Sequence, residues 1–325
     1  MIYVMAPYAT VSGGPELLQQ LCYVLNKNNL ESKICYYSSW MITEQGDASR
    51  KRYSVYDNPS AMKVEDTPDN IVVIPETATY LLRKFHRAKK VLWWLSVDFF
   101  YRKKRWKDNV TTVFGLLDGN VFDSNLFHLC QCKYAQDFLV SKGISKERTF
   151  FLSDYLNDEF IQNAKLEANV EKQDIVIYNP KKGFEYTEQL INAARNIKWV
   201  PIQGMTPNQV RELMQRSKLY IDFGNHPGKD RMPREAAISG CCIVTGKRGA
   251  AANNVDVPIP EKYKIDEKSS DSVMKSIELI RYILGNYEET KPDFDSYRQV
   301  IKGEEKQFET DAVNSFNYFI HEAGN

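Results

Sequence analysis

The opening of this chain constrains its fold more than any other feature, because a strand, a glycine turn, a helix and a second strand follow one another within 38 residues. Ile2 to Met5 and Lys33 to Tyr37 are apolar runs of strand length. Between them Gly13-Gly14 makes a turn, Pro15 suits a first helical position because its missing N–H would be unpaired there, and Glu16 suits the positive helix end. Leu17, Leu18, Leu21, Cys22 and Leu25 recur at helical spacing, so the helix packs one face on a sheet. A β-α-β start of this kind predicts a parallel, doubly wound sheet.

The alternation continues through Ile71 to Ile74 (strand), Thr77 to His86 (helix), and strands at Val91 to Leu95, Val110 to Phe114 and Phe127 to Leu129. A helix from about Lys133 to Lys142, stopped by Gly143, leads to a strand at Thr149 to Leu152. Residues 157 to 172 turn polar and read as a linker. A second series begins at Asp174, with strands at Ile175 to Tyr178, Trp199 to Ile202, Leu219 to Phe223 and Cys241 to Thr245. Helices fall at Tyr186 to Asn196, after the cap signal Thr206-Pro207 with Gln209, and at Pro233 to Ser239. Helices at Ser269 to Gly285 and Asp293 to Glu322 close the chain, the last carrying Phe308, Phe316, Tyr318 and Phe319 to pack back on the body. At 325 residues the length suits about two domains. The expected class is α/β: two Rossmann-like doubly wound domains facing a cleft, over residues 1–160 and 161–290, with a helical segment 291–325 packing back.

No apolar run approaches the roughly 18 residues that span a bilayer. The first eight residues are apolar but lack a basic lead-in and a clear cleavage site, so a cytoplasmic protein is expected. The cysteines at 22, 35, 130, 132, 241 and 242 include no C-x-x-C, so they read as buried free thiols rather than zinc or redox ligands.

Doubly wound sheets bind ligands outside the carboxyl ends of their strands, which makes the loops after the strands the informative ones. Asn225 to Glu235 crowds Lys229, Arg231 and Arg234 at a helix start near Pro233, where free N–H groups favour an anion such as a diphosphate. Glu235 there is either a dipole-favoured carboxylate or an acceptor for sugar hydroxyls. Asn179-Pro180-Lys181-Lys182-Gly183 can cradle phosphate, and Gly246 to Ala252, including Gly249 and Ala250, is small enough for close backbone approach. That loop is no Walker A motif: five residues separate Gly240 from Gly246, and Arg248 stands where Ser or Thr would bind magnesium. Gly13-Gly14 is the corresponding loop of the first domain.

These loops resemble those of GT-B glycosyltransferases of the large group 1 (family 4) type, and the resemblance covers most of the chain. Ser12-Gly13-Gly14-Pro15 is similar to the family's glycine-rich loop under the donor phosphates, and Lys182-Gly183 to its K-G. Lys133-Tyr134-Ala135 through Gly143-Ile144, Phe151-Leu152 and Asn157 to Phe160 resemble the crossover out of the first domain. Pro233 to Val244 resembles the segment P-x-x-E-A-x-x-x-G-x-P-V-V. The resemblance implies that Glu235 binds the nucleotide ribose and Lys182 the diphosphate, with an acceptor-side first domain and a donor-binding second one. Pro227 replaces the family's usual second glutamate and Asn179-Pro180 its arginine, which points to a divergent branch where Lys229, Arg231 and Arg234 take the diphosphate.

Such enzymes transfer a sugar from a nucleotide diphosphate to an acceptor hydroxyl, and cations at a helix end stabilise the leaving diphosphate without a metal. The expected donor is of UDP, GDP or dTDP type, the group moved hexosyl or deoxyhexosyl, and no cofactor is expected. The only D-x-D, Asp293-Phe294-Asp295, suits a helix start. Asp98, following a strand, is the candidate base, charge stabiliser or acceptor-binding residue, against a plain turn aspartate, with His226 and Glu76 as lesser candidates.

Lys plus Arg (43) nearly cancels Asp plus Glu (42), yet Arg83 to Lys107 alone holds ten basic residues and one acidic, a local +9 against −8 for the rest. Phe99, Phe100, Tyr101 and Trp106 are interleaved with this charge, a composition suited to an anionic membrane surface. The expectation is peripheral binding at the inner face of the cell membrane and a lipid-linked glycan acceptor in bacterial-type surface polysaccharide assembly. Single-stranded nucleic acid or a plain solvated face are the competing readings of this segment. For the whole chain, the competing reading is a non-catalytic nucleotide- or polyanion-binding protein on the same scaffold.

Overall fold

The computed structural model describes residues 1–39, 41–101, 120–156, 161 and 170–322. The expected strand at Val110 to Phe114, most of the 157–172 linker, and Arg102 to Lys107 of the basic segment lie outside them. The chain divides into two compact units: Met1–Asp154 with Lys306–Asn325, and Tyr155–Glu305.

The first unit is built on a seven-stranded sheet. Its strands are β1 (Ile2–Pro7), β2 (Ser32–Ser38), β3 (Met41–Thr43), β4 (Ile71–Pro75), β5 (Lys89–Trp94), β6 (Phe127–Cys130) and β7 (Thr149–Phe151), in the order β3-β2-β1-β4-β5-β6-β7. Only β3 is antiparallel. Continuous apolar runs such as β4, buried at every position, are what a parallel sheet covered on both faces requires. Helix α1 (Gly13–Lys27) buries its leucine stripe, but it starts two residues earlier than expected, with Ser12 as N-cap. Pro15 therefore sits third in the first turn, where its missing N–H still costs no intrahelical bond.

Two further differences have local causes. Where a helix is expected over 77–86, Glu76–Arg83 forms 3-10 turns broken at Ala78. β-Branched Thr77 and Thr79 disfavour helix, and the Asp66 carboxylate ends the segment by accepting the N–H groups of His86, Arg87 and Ala88. Strand β3 and helix α2 (Asp47–Tyr53) carry no periodic apolar signal; only Ser49 and Tyr53 of α2 are buried.

The second unit holds a parallel sheet of β8 (Gln173–Tyr178), β9 (Lys198–Pro201), β10 (Ser217–Asp222), β11 (Cys242–Gly246) and β12 (Lys264–Ile265), in the order β12-β11-β10-β8-β9. Helices α4 (Phe184–Ala193), α5 (Pro207–Arg216), α6 (Arg231–Ile238), α7 (Ser272–Gly285) and α8 (Tyr287–Thr290) connect and cover it; α3 (Lys133–Ser141) belongs to the first unit. Thr206 and Gln209 form the expected capping box of α5. Helix α6 begins at Arg231 rather than Pro233, so both arginines of its first turn are helical. The order reverses between β8 and β10, and in the first unit between β1 and β4, which marks the switch point of each sheet.

The last helix, α9 (Asp295–His321), starts in the second unit and ends in the first. There Phe308 meets Trp93, and Phe319 stacks on Phe127 at 4.6 Å with its edge to Phe150. Lys89 Nζ donates to the carbonyls of Phe319, Ile320 and Glu322, closing a helix end that has no further turn to satisfy it. The expected 291–325 segment is thus shared between the two units. All six cysteines are buried and free.

Candidate functional site

At the switch point of the second unit, the loop after β8 meets the end of β10 backbone to backbone. Gly183 has φ +58° and Gly224 φ +92°, and a Cβ on either would overlap the other's chain. Only glycine fits at both places. This contact fixes Lys182, whose Nζ lies 2.9 Å from Asp222 Oδ1 and against Asp230 Oδ2. Asn179 shapes the same loop by accepting the N–H of Lys181, which points to solvent, and by donating to Met232 Sδ.

The expected basic cluster is more inward-facing than its sequence implies. Arg234 is fully buried, its NH1 2.8 Å from Glu304 Oε2, and its other donors reach the carbonyls of Lys229 and Asp230. Lys229 Nζ pairs with Glu304 Oε1 at 2.6 Å. Both were expected to face a diphosphate; burial and Glu304 give them the task of shaping the loop instead. Arg231 and Glu235 lie one turn apart on α6, 3.6 Å from each other, with side chains 33% and 17% exposed. Formally, four cations (Lys182, Lys229, Arg231, Arg234) stand beside four carboxylates (Asp222, Asp230, Glu235, Glu304), so these eight side chains together carry no net charge.

His226 is completely buried, Nε2 3.3 Å from the Asp222 carbonyl and Nδ1 3.3 Å from Asp230 Oδ2. Burial pushes its pKa down, against the pull of Asp222. As a catalytic base it would have to touch a reacting group, and its enclosure corrects that expectation. Gly249 and Ala250 belong to the same enclosure. Gly249, at φ +61°, lies so close to the His226 carbonyl that a Cβ would overlap it, and the Ala250 N–H donates to that oxygen at 2.9 Å. The close backbone approach expected of this loop is to His226. Asp222, His226 and Asp230 bring ligand atoms within 4.8 Å of one another, a set that could hold a divalent cation, but the Lys182 ammonium already supplies positive charge to both carboxylates.

At the switch point of the first unit, Gly13 and Gly14 have ordinary helical backbones. A Cβ on Gly13 would meet nothing within 4 Å, and on Gly14 only Leu95 Cδ1 at 3.6 Å. Tyr53 Oη accepts the Ser12 N–H and donates to the Ser12 carbonyl, pinning the loop that opens α1. Glu76 is buried and accepts the Leu95 N–H at 3.1 Å, bracing the loops after β4 and β5. Asp98 is half-buried in a helical turn, residues 97–101, whose start Ser96 caps by accepting the Phe99 N–H. Its charge, after burial, helps raise the pKa of Tyr134.

Within the basic segment, Lys89 is spent on α9 and Lys90 Nζ bonds the Phe85 carbonyl. Arg83, Lys84 and Arg87 are exposed. Phe100 is core, 5.0 Å from Trp94, whereas Phe99 and Tyr101 are 50% and 41% exposed. No helix among the described residues is long and apolar enough to cross a membrane.

No family model and no curated protein matches the sequence. Solved structures do match. A glycosyltransferase from Rickettsia africae superposes with a TM-score of 0.67 over 99% of both chains at 12% identity. Anabaena HepE in complex with UDP-glucose gives 0.60 over 98% of this chain and 99% of its own, also at 12%. WaaG, a glycosyltransferase involved in lipopolysaccharide biosynthesis, gives 0.58 over 99% and 100% at 10%. The chain has the GT-B fold.

In this GT-B chain the loops singled out in the sequence after β8 and β10 come together, and with them stand two acids, Asp222 and Glu304, that the sequence did not single out. Asp222 ends a buried strand two residues before Gly224, a signal that could have been read. Glu304 lies 70 residues beyond Arg234 on a helix whose pattern does not single it out. Tyr53 sits on the unpredicted α2.

Proposed function

We propose that this protein is a metal-independent glycosyltransferase that moves a hexosyl or deoxyhexosyl group from a UDP-, GDP- or dTDP-sugar to a hydroxyl of a lipid-linked glycan in bacterial surface polysaccharide assembly. The observation that carries this reading is the switch point of the second unit, where Lys182, Arg231 and Glu235 are gathered outside the strand ends of a GT-B fold. HepE was solved with UDP-glucose, which supports a nucleotide sugar as the ligand class.

In this reading the acceptor oxygen attacks the anomeric carbon while the bond from that carbon to the diphosphate breaks. Arg231, and Lys182 from its seat between Asp222 and Asp230, stabilise the charge that builds on the leaving diphosphate. Glu235 accepts hydrogen bonds from ribose hydroxyls. Asp98, in the first unit, accepts the proton of the acceptor hydroxyl. Gly13 and Gly14 give a ligand close access to the N–H groups at the start of α1.

Calorimetry with UDP, GDP and dTDP tests the donor site. Binding of one of them, weakened at least about tenfold by Glu235→Ala and by Arg231→Ala, is expected, since each removes a charged hydrogen-bonding partner. Absence of binding to all three, or variants that bind like the wild type, refutes it. For localisation, the reading is peripheral attachment at the cytoplasmic face of the cell membrane through residues of Arg83 to Lys107, among them the exposed Arg83, Lys84, Arg87, Phe99 and Tyr101. Flotation on anionic vesicles should fall with added salt and with neutralisation of Arg102 to Arg105. Flotation indifferent to both counts against it.

A further inference from the structure

We infer that Glu304 is a positioning residue of the loop between β10 and α6: acting through Arg234, it sets where Asp230, Arg231 and Glu235 stand. The chain of contacts runs outward from the interior of the second unit. Glu304, 5% exposed on α9, binds Arg234 NH1 with one oxygen and Lys229 Nζ with the other. Arg234 Nε and NH2 then hold the carbonyls of Asp230 and Lys229, at 3.2 Å each. Those two carbonyls belong to the last residues before α6, and Asp230 is its N-cap residue although its side chain caps nothing.

The Asp230 carboxylate is aimed instead at Lys182 and at His226 Nδ1. A loop of this length would ordinarily keep its conformational freedom, and here a buried ion pair on a helix 70 residues away removes it. Burying Arg234 and Glu304 costs desolvation, and such a pair is often no more stabilising than an apolar pair of the same shape. Its value then lies in geometry: a guanidinium fork gripping two consecutive carbonyls fixes their direction, which an apolar contact does not. The residues so directed are the ones read above as the donor site. The consequence for ligand binding rests on that reading, but the geometry of the loop does not.

The test uses the full chain and the paired variant Arg234→Met/Glu304→Met, which removes that ion pair at similar volume and leaves Lys229, 11% exposed, to turn its ammonium to solvent, alongside Glu304→Gln. The pair should fold. Affinity for whichever nucleoside diphosphate the wild type binds should drop about tenfold or more in both variants, because displaced binding groups lose much of their effect. The His226 ring resonances, assigned with His226→Gln, should shift in the pair as Asp230 moves. Wild-type affinity in the variants, or unmoved His226 resonances, overturns the inference and reduces Glu304 to fold support. If the wild type binds no nucleotide, the donor-site reading fails by itself, and the His226 resonances alone decide for or against the role of Glu304. If the pair does not fold, Glu304→Gln decides by the same two readouts.

Discussion

His128 should make the first unit acid-sensitive well above the carboxylate range. It lies on β6, wholly buried, and its Nδ1 accepts the indole N–H of Trp94 at 3.0 Å, so the neutral ring carries its proton on Nε2. Nε2 has no partner among the described residues. Burial pushes the pKa from 6.5 down to about 4, and protonating Nδ1 would also set two donors against each other. The unfolded chain takes up a proton near 6.5 while the folded chain resists until about 4, so folded-state stability falls as pH drops through that window and is restored above it. At about 1.4 kcal/mol per pKa unit, the loss is about 2 kcal/mol at pH 5 and about 3 kcal/mol below pH 4. His128→Gln keeps an oxygen to accept the indole N–H and removes the titration. Urea unfolding at pH 7 and pH 5, followed by tryptophan fluorescence, should show the wild type losing about 2 kcal/mol more than the variant between the two pH values. Equal losses within about 0.5 kcal/mol would refute this account of His128.

The glycines give opposite expectations that one pair of measurements can separate. Gly183→Ala should lower the melting temperature of the second unit, by about 1–3 kcal/mol in stability, since it must leave a left-handed backbone and overlap Phe223. Gly13→Ala should leave stability unchanged or raise it by up to about 1 kcal/mol, because its Cβ meets nothing. If α1 receives a ligand, the same change should weaken nucleotide-sugar binding measured by calorimetry; unchanged binding removes Gly13 from the site. Lys89→Met should loosen the end of α9, raising amide exchange over its last turn, where three carbonyls lose their donor.

The parallel sheets were legible because their strands are buried on both faces and so read as unbroken apolar runs, as in β1 and β4. The α5 cap was legible because Thr206, Pro207 and Gln209 interact within one turn. Where the partners are distant the reading fails. Lys229 and Arg234 look like an anion site until Glu304 is brought beside them, and His226 looks available until Gly249 closes over it. Charge in a sequence counts residues, whereas charge at a site depends on which acids the topology returns to it.

The closing helix also bears on how the chain is made. The second unit is an insertion within the first, whose closing piece, from Lys306 onward, leaves the ribosome only after the whole second unit. Trp93, Phe127 and Phe150 wait for a cover carried by Phe308 and Phe319, and Lys89 waits 230 residues for the carbonyl of Phe319. During synthesis the downstream sheet can settle first, while the upstream one holds sticky aromatics open to chaperones and proteases. Premature stop codons anywhere before the final helix should therefore yield aggregates rather than a truncated soluble half.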